Sequence, residues 1–302
     1  MKRRKTLAAT LLLAAFLCLG MAGCGSSSLE EGSYVENVDV VANEAVADAG
    51  QPAQGEQAAS EQVIEQQAIE QKTEDQNAEE QKSEGEPAGD GLSGYTVTID
   101  AGHQAWGNSD TEPIGPGAYE EKAKVSSGTS GVATGNEESE INLAVALKLR
   151  DYLASRGVNV VMVRESQDVD IANSQRAMIA NESGSALFVR LHCDGADDSS
   201  RTGFWTLVPG YNEWTGPIVD QSRVAGEIVQ RNAVAATGAV DLGITERTDL
   251  SGFNWCTVPT ILCEMGYMSN PDEDVLLGTE EYQQKLAQGI GDGVIEYLGT
   301  LG

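Results

Sequence analysis

The chain has 302 residues, with 47 Asp plus Glu against 19 Lys plus Arg and a formal net charge of −28. This acidity excludes nucleic-acid binding, which needs Lys and Arg against phosphate, and it excludes attachment to anionic lipid through a basic patch. Only two histidines, His103 and His192, are available for imidazole chemistry.

In chain order, residues 1–24 read as an export signal. Lys2-Arg3-Arg4-Lys5 is a basic head, and Thr6 to Leu19 is an apolar stretch shorter than the about 20 residues a membrane span needs. Met21-Ala22-Gly23-Cys24, followed by Gly25-Ser26-Ser27-Ser28, resembles the lipobox of bacterial lipoproteins. That resemblance implies cleavage before Cys24 and a lipid anchor on its sulfur, so the mature chain is expected outside the cytoplasm, held to the membrane by lipid. Residues 25–92 hold 17 acidic residues against two Lys, with many Gln, Ala and Ser. Such a segment cannot bury enough apolar surface to offset ordering entropy, so a disordered acidic tether is expected. Its role is spacing.

Residues 93–302 carry 30 acidic and 13 basic residues and suffice for one α/β domain. Tyr95–Ile99 reads as a strand. Residues Gln104 to Asn136 show no clear element, and a loop of this length beside His103 is expected to form a wall or lid. A helix over Ser139–Ser155 stops at Gly157. Strands follow at Val158–Val163, Leu187–Leu191, Gly203–Val208, Leu242–Arg247 and Thr260–Glu264. Helices are expected at Ala172–Asn181, Gly216–Ala236 and Glu280–Leu298, and Ser269-Asn270-Pro271-Asp272 reads as a turn and helix start. The alternation predicts a mostly parallel twisted sheet flanked by helices on both faces. Arg164, after its strand, is expected to pair with an acid. Cys193 and Cys263 should point away from the sheet face of His192 and Glu264 and act as small buried residues. With Cys256 they make three, so at most one disulfide can form.

Three of the predicted strands end on metal-competent groups: His103, His192 and Glu264. Ligands of open α/β sheets bind outside the carboxyl ends of the strands. Imidazole nitrogen with carboxylate oxygen is the donor set of an open, catalytic zinc centre. Asn254, before the last of these strands, is a candidate cleft residue, with Trp255 beside it assignable equally to the core. Arg190 is a candidate bidentate donor to a substrate carboxylate. A Ser–His–Asp triad is excluded because both histidines are committed, and no Gly-rich phosphate loop follows a strand.

Four stretches recur together in order: Ile99-Asp100-Ala101-Gly102-His103, Glu138-Ser139-Glu140-Ile141-Asn142-Leu143, Arg190-Leu191-His192, and Glu264-Met265-Gly266-Tyr267-Met268-Ser269-Asn270-Pro271. This resembles the zinc-dependent N-acetylmuramoyl-L-alanine amidases of the Amidase_3 class, over essentially all of 93–302. The resemblance implies a peptidoglycan substrate, a Zn²⁺ cofactor held by His103, Glu138 and His192, and Glu264 as the catalytic carboxylate. It selects Glu138 over Glu137 and Glu140 because the family's ligand Glu lies four residues before the Asn of the Asn-Leu pair. Gln104-Ala105, Arg190 and Cys193-Asp194 depart from the family's commonest residues, which leaves the metal set intact and opens the specificity of the rim. Two other readings compete: a zinc carboxypeptidase acting on stem peptides, and a non-catalytic wall-binding or regulatory domain. An activator protein is compatible with the long loop.

Overall fold

The computed structural model describes residues 91–302. The expected signal 1–24, the lipidation site Cys24 and all but the last residues of the 25–92 tether lie outside the described residues. After a short 3-10 turn at Leu92–Gly94, the elements are β1 (Thr96–Ala101), β2 (Asn108–Pro113), β3 (Glu121–Val125), α1 (Glu138–Ser155), β4 (Asn159–Met162), α2 (Asn173–Glu182), β5 (Leu187–Asp194), β6 (Phe204–Pro209), α3 (Val219–Thr237), β7 (Asp241–Arg247), α4 (Ser251–Asn254), β8 (Thr260–Tyr267), α5 (Pro271–Leu277) and α6 (Glu280–Gly299).

Six strands form one sheet in the order β4-β1-β5-β8-β6-β7. All neighbours run parallel except β6 against β8. The expected α/β sheet is therefore what the chain builds. The connection leaving β1 goes to β4 on one side, and β5 returns to the other. That reversal opens a crevice beyond the carboxyl ends of β1 and β5, the usual ligand position in such sheets.

The strands are two-sided because side chains alternate. Val97, Ile99 and Ala101 of β1, Leu187, Val189, Leu191 and Cys193 of β5, and Ile261, Cys263 and Met265 of β8 enter one large core beneath α1, α3 and α6. The opposite parity places Asp100, Phe188, Arg190, His192, Leu262 and Glu264 on the other face, which α2 and α4 cover only in part. Cys193, Cys256 and Cys263 are buried free thiols, and no disulfide joins them. Burial is the first cause that pushes each thiol upward, so all three are inert apolar fillers.

The stretch 104–136, read as element-free, contains the antiparallel ribbon β2–β3. Its strands read Asn-Ser-Asp-Thr-Glu-Pro and Glu-Lys-Ala-Lys-Val and face mostly solvent, so no apolar alternation marks them. The ribbon is tied down by tertiary bonds instead. Buried Glu112 accepts the Ser174 N–H at 3.2 Å and its hydroxyl at 2.5 Å, capping the start of α2. Indole N–H donors of Trp214 and Trp255 reach the carbonyls of Pro116 and Pro113 at 3.0 and 2.8 Å. Asn270 caps α5 as expected, accepting from the amides of Asp272 and Glu273.

Helices α3 and α6 cross closely at glycines. A Cβ on Gly293 would lie 2.6 Å from the Val229 Cα, and one on Gly289 2.9 Å from the Ala233 Cα. These are backbone atoms and cannot yield without moving a helix. Gly293→Val should therefore destabilise the domain by about 2–3 kcal/mol through overpacking. Urea unfolding followed by circular dichroism measures this, and an unchanged midpoint would refute the close crossing.

Candidate active site

The segment after β1 is built around one strained residue. His103 has φ 59°, the only positive φ at a non-glycine among the described residues. Left-handed backbone costs a non-glycine residue on the order of 1–3 kcal/mol and persists only where neighbours over-determine it. Two buried arginines do so. Arg164 donates to the carbonyls of Ala101 at 2.8 Å, Gly102 at 3.0 Å and Ser139 at 2.8 Å. Arg176 donates to the carbonyls of Ala101 at 3.0 Å and His103 at 2.9 Å. The expected acid partner of Arg164 is thus replaced by four carbonyl oxygens, the fourth that of Ser166 at 3.1 Å, because buried acceptors around the strained turn must be satisfied.

Asp100 lies under this turn with no solvent exposure. It pairs with Arg176 at 2.7 Å and with Arg190 at 2.9 Å. Burial alone would raise its carboxyl, but the two guanidinium groups outweigh this and hold it well below the usual carboxylate range.

Three side chains converge above. Nε2 of His103, Nδ1 of His192 and Oε1 of Glu138 lie 3.0–3.1 Å from one another. His103 Nδ1 lies 2.9 Å from the Ser126 carbonyl. A carbonyl only accepts, so Nδ1 carries the proton and Nε2 presents a lone pair to the triangle. Burial pushes the His192 imidazole down to about 4, leaving it neutral near pH 7. Burial would raise the Glu138 carboxyl, but its bonds with His103 and His192 prevail and hold it well below the usual range. Its oxygens also accept from the amides of Cys193 at 3.1 Å and Thr129 at 2.9 Å and from Asn142 Nδ2 at 3.2 Å. Three ligands on a tetrahedral zinc with bonds of about 2.0–2.1 Å would stand about 3.3 Å apart. Two imidazole nitrogens, one carboxylate and this spacing fit that ion, and the group is one that could hold a metal.

Glu264 stands beside this group, since β5 and β8 pair His192 with Glu264. Its Oε2 is shut from solvent and has no hydrogen-bond partner among the described residues. Burial first, then the charges of Glu138 and Asp194, push its carboxyl well above the usual range, against the pull of Arg247 and Arg190. A carboxyl in this state binds a proton more readily than a free one. All four groups line one cleft of about 920 Å³. Lys122, Val125, Ser126 and Thr129 on its wall come from the 104–136 segment, as the long-loop reading expects.

With this geometry in place, the match to known sequences is specific: residues 97–296 fit the profile of Amidase_3, N-acetylmuramoyl-L-alanine amidase. The chain belongs to this amidase family. It is 30% identical over 210 residues to an uncharacterised Bacillus subtilis protein, covering 70% of this chain and 88% of that one. It is equally 30% identical over 219 residues to an N-acetylmuramoyl-L-alanine amidase of Mycobacterium tuberculosis, covering 70% and 89%. Among solved structures, the Mycobacterium smegmatis amidase Ami1 superimposes with a TM-score of 0.61 at 27% identity, covering 69% of this chain and 99% of that one.

The amidase cleft differs from the sequence-based expectation at two candidate residues. Asn254 does not line it: the side chain is buried, accepting from Asn212 at 2.8 Å and donating to the Thr248 carbonyl at 3.2 Å. Arg190 does line it, but not as a free bidentate fork, because Nε is bound to Asp100 and Nη2 to Asn173 Oδ1 at 2.8 Å. The pattern reading also missed Asp100, although a charged residue inside an apolar strand is itself a signal that a buried partner exists. Lys122, Arg247 and Asp249, which line the cleft, carried no local signal because they come from the unrecognised ribbon and from a strand edge.

Two outcomes follow. A Cβ on Gly102 would lie 2.3 Å from His192 Cε1, so Gly102→Ala should displace that ring and weaken the affinity of this group for an added divalent metal about 10- to 100-fold. Competitive titration with a chelating dye would show it, alongside an unaltered far-UV spectrum. Asp100→Asn should cost about 3–5 kcal/mol by leaving two buried guanidinium groups uncompensated. Because the folded-state carboxyl is depressed, its contribution is complete above the unfolded value of about 3.9 and is lost as pH falls below it. The variant's urea midpoint should therefore vary less with pH below about 4 than the parent's.

Proposed function

We propose that this chain is a zinc-dependent N-acetylmuramoyl-L-alanine amidase that hydrolyses the amide between the lactyl group of N-acetylmuramic acid and L-alanine in peptidoglycan. The observation that carries this reading is the convergence of His103, Glu138 and His192 at 3.0–3.1 Å beside the unpartnered carboxyl of Glu264. His103, Glu138 and His192 would hold the ion. Zinc bound there supplies a Lewis acid for the scissile carbonyl and lowers the pKa of water toward about 7.

The rest of the chemistry belongs to the chain. The Ser126 carbonyl orients the His103 ring, and the buried location of His192 keeps its imidazole neutral. Glu264 takes the proton of the attacking water on its cleft-facing carboxylate and returns it to the leaving alanine nitrogen. Its raised affinity for protons suits the return, since the departing amine needs an acid close by. The lipobox-like Cys24 supports an extracytoplasmic protein anchored to the membrane, with the acidic segment 25–92 as a spacer that lets the domain reach the wall.

The test is mass spectrometry of purified cell wall digested by the whole chain, with and without chelator, beside Glu264→Gln. Intact stem peptides should be released only with metal present. Glu264→Gln should lower kcat about 10²- to 10⁴-fold while zinc stays bound one per chain. Release of a terminal amino acid instead would reassign the chain as a carboxypeptidase. Stoichiometric zinc without any product would make it a wall-binding domain.

A further inference from the structure

Hydrolysis of the amide gives no role to the cations of the cleft. Three cations line the cleft, Lys122, Arg190 and Arg247, in a domain whose composition is strongly acidic. Their partners leave them in surplus. Lys122 and Arg247 share the carboxylate of Asp249, at 3.2 and 2.8 Å. Arg190 and Arg176 share that of Asp100. Each trio of two cations and one acid keeps a net positive charge.

Arg190 is aimed into this region. The β5–β8 register sets Arg190 opposite Leu262 and His192 opposite Glu264, so Arg190 lies one repeat before His192 on the same face. That is about 6–7 Å along the strand. The side chain is only 4% exposed. Nε and Nη2 are committed to Asp100 and Asn173, whereas Nη1 has no acceptor among the described residues. A Cβ at position 252 would lie 2.0 Å from Nη1, so glycine there keeps a path from Nη1 to the cleft, which Gly252 also lines. Nη1 is thus a charged donor left open on the cleft side, and the partner a guanidinium N–H pairs with most strongly is an anionic oxygen.

We infer that Arg190 Nη1, together with Lys122 and Arg247, forms an anion subsite that takes a carboxylate on the peptide arm of the substrate, close to the scissile amide. This rests on the amidase reading, which supplies the chemistry of the two arms. The muramoyl carboxyl is consumed in the amide, so the sugar side offers no free carboxylate there. The peptide side does. The subsite therefore also orients the substrate, with the peptide arm running toward Arg190. The three cations are specificity-determining residues rather than catalytic ones.

The experiment compares two synthetic N-acetylmuramoyl-L-alanyl peptides that differ only in a free carboxylate or a carboxamide on the residue after alanine. Turnover is measured with the zinc-loaded whole chain. Calorimetry separately measures binding of the two corresponding free peptides. The carboxylate form should show a kcat/KM about tenfold or more higher, with the difference in KM, and its peptide should bind tighter by a similar factor. Arg190→Gln should shrink both ratios toward one. So should Lys122→Gln, whose side chain is 38% exposed and whose loss spares the buried network if the arginine variant fails to fold. Equal turnover and equal binding of the two forms would overturn the subsite and leave the amidase intact. A preference unchanged in both variants would also overturn it. Tighter binding of the carboxylate peptide, with cleavage of neither substrate, would uphold the subsite and overturn the amidase reading.

Discussion

The site depends on the buried ionic contact between Asp100 and two arginines. Asp100 is the last charged residue of β1 before the turn that carries His103, and it is wholly enclosed. Without Arg176 and Arg190 its charge would not tolerate that position. The same Arg176 then reaches on to the carbonyls of Ala101 and His103, and Arg164 adds those of Ala101 and Gly102. The network is thus also the clamp that keeps His103 in a left-handed conformation and its Nε2 on target. A hydrophobic replacement of similar volume could fill the space, but it would leave the carbonyls of the turn unsatisfied.

The two faces of the sheet divide the work. The face under α1, α3 and α6 is uniformly apolar and closely packed, with glycines where the helices cross. It supplies the stability. The other face gives up apolar burial to hold Asp100, Arg190, His192 and Glu264 in adjacent rows, partly roofed by the β2–β3 ribbon. One residue of strand offset separates the two roles, as with Leu191 in the core and His192 in the cleft. Charge follows the same economy. The domain is acidic overall, yet its cleft sets Lys122, Arg190 and Arg247 among the carboxyls that line it.

Much of this was readable from local pattern. The strands β1, β5 and β8 announce themselves as short apolar runs, and the groups that follow or end them are the ones the structure gathers. Helices α1, α3 and α6 lie within a few residues of their expected bounds. The ribbon was not readable, because Asn108–Pro113 and Glu121–Val125 owe their pairing to contacts with α2 and the 210–215 loop rather than to any alternation of their own. Asn254 and Arg164 were misassigned for a related reason. A polar side chain near a strand end faces whichever acceptors the fold brings to it, and for these two they were Thr248 and the carbonyls around Gly102.

By itself, the sequence determined the α/β class, the order of the elements and the identity of the chemical groups, because hydrophobic period and residue type are local properties. The tertiary structure alone decided that three donors from β1, α1 and β5 meet within 3.1 Å. It decided equally that Glu264 is left unpartnered beside them, and that Arg190 spends two of its donors on Asp100 and Asn173. Distances between residues far apart in the chain are set by strand register and by the burial of charge against charge, and neither is written in any one segment.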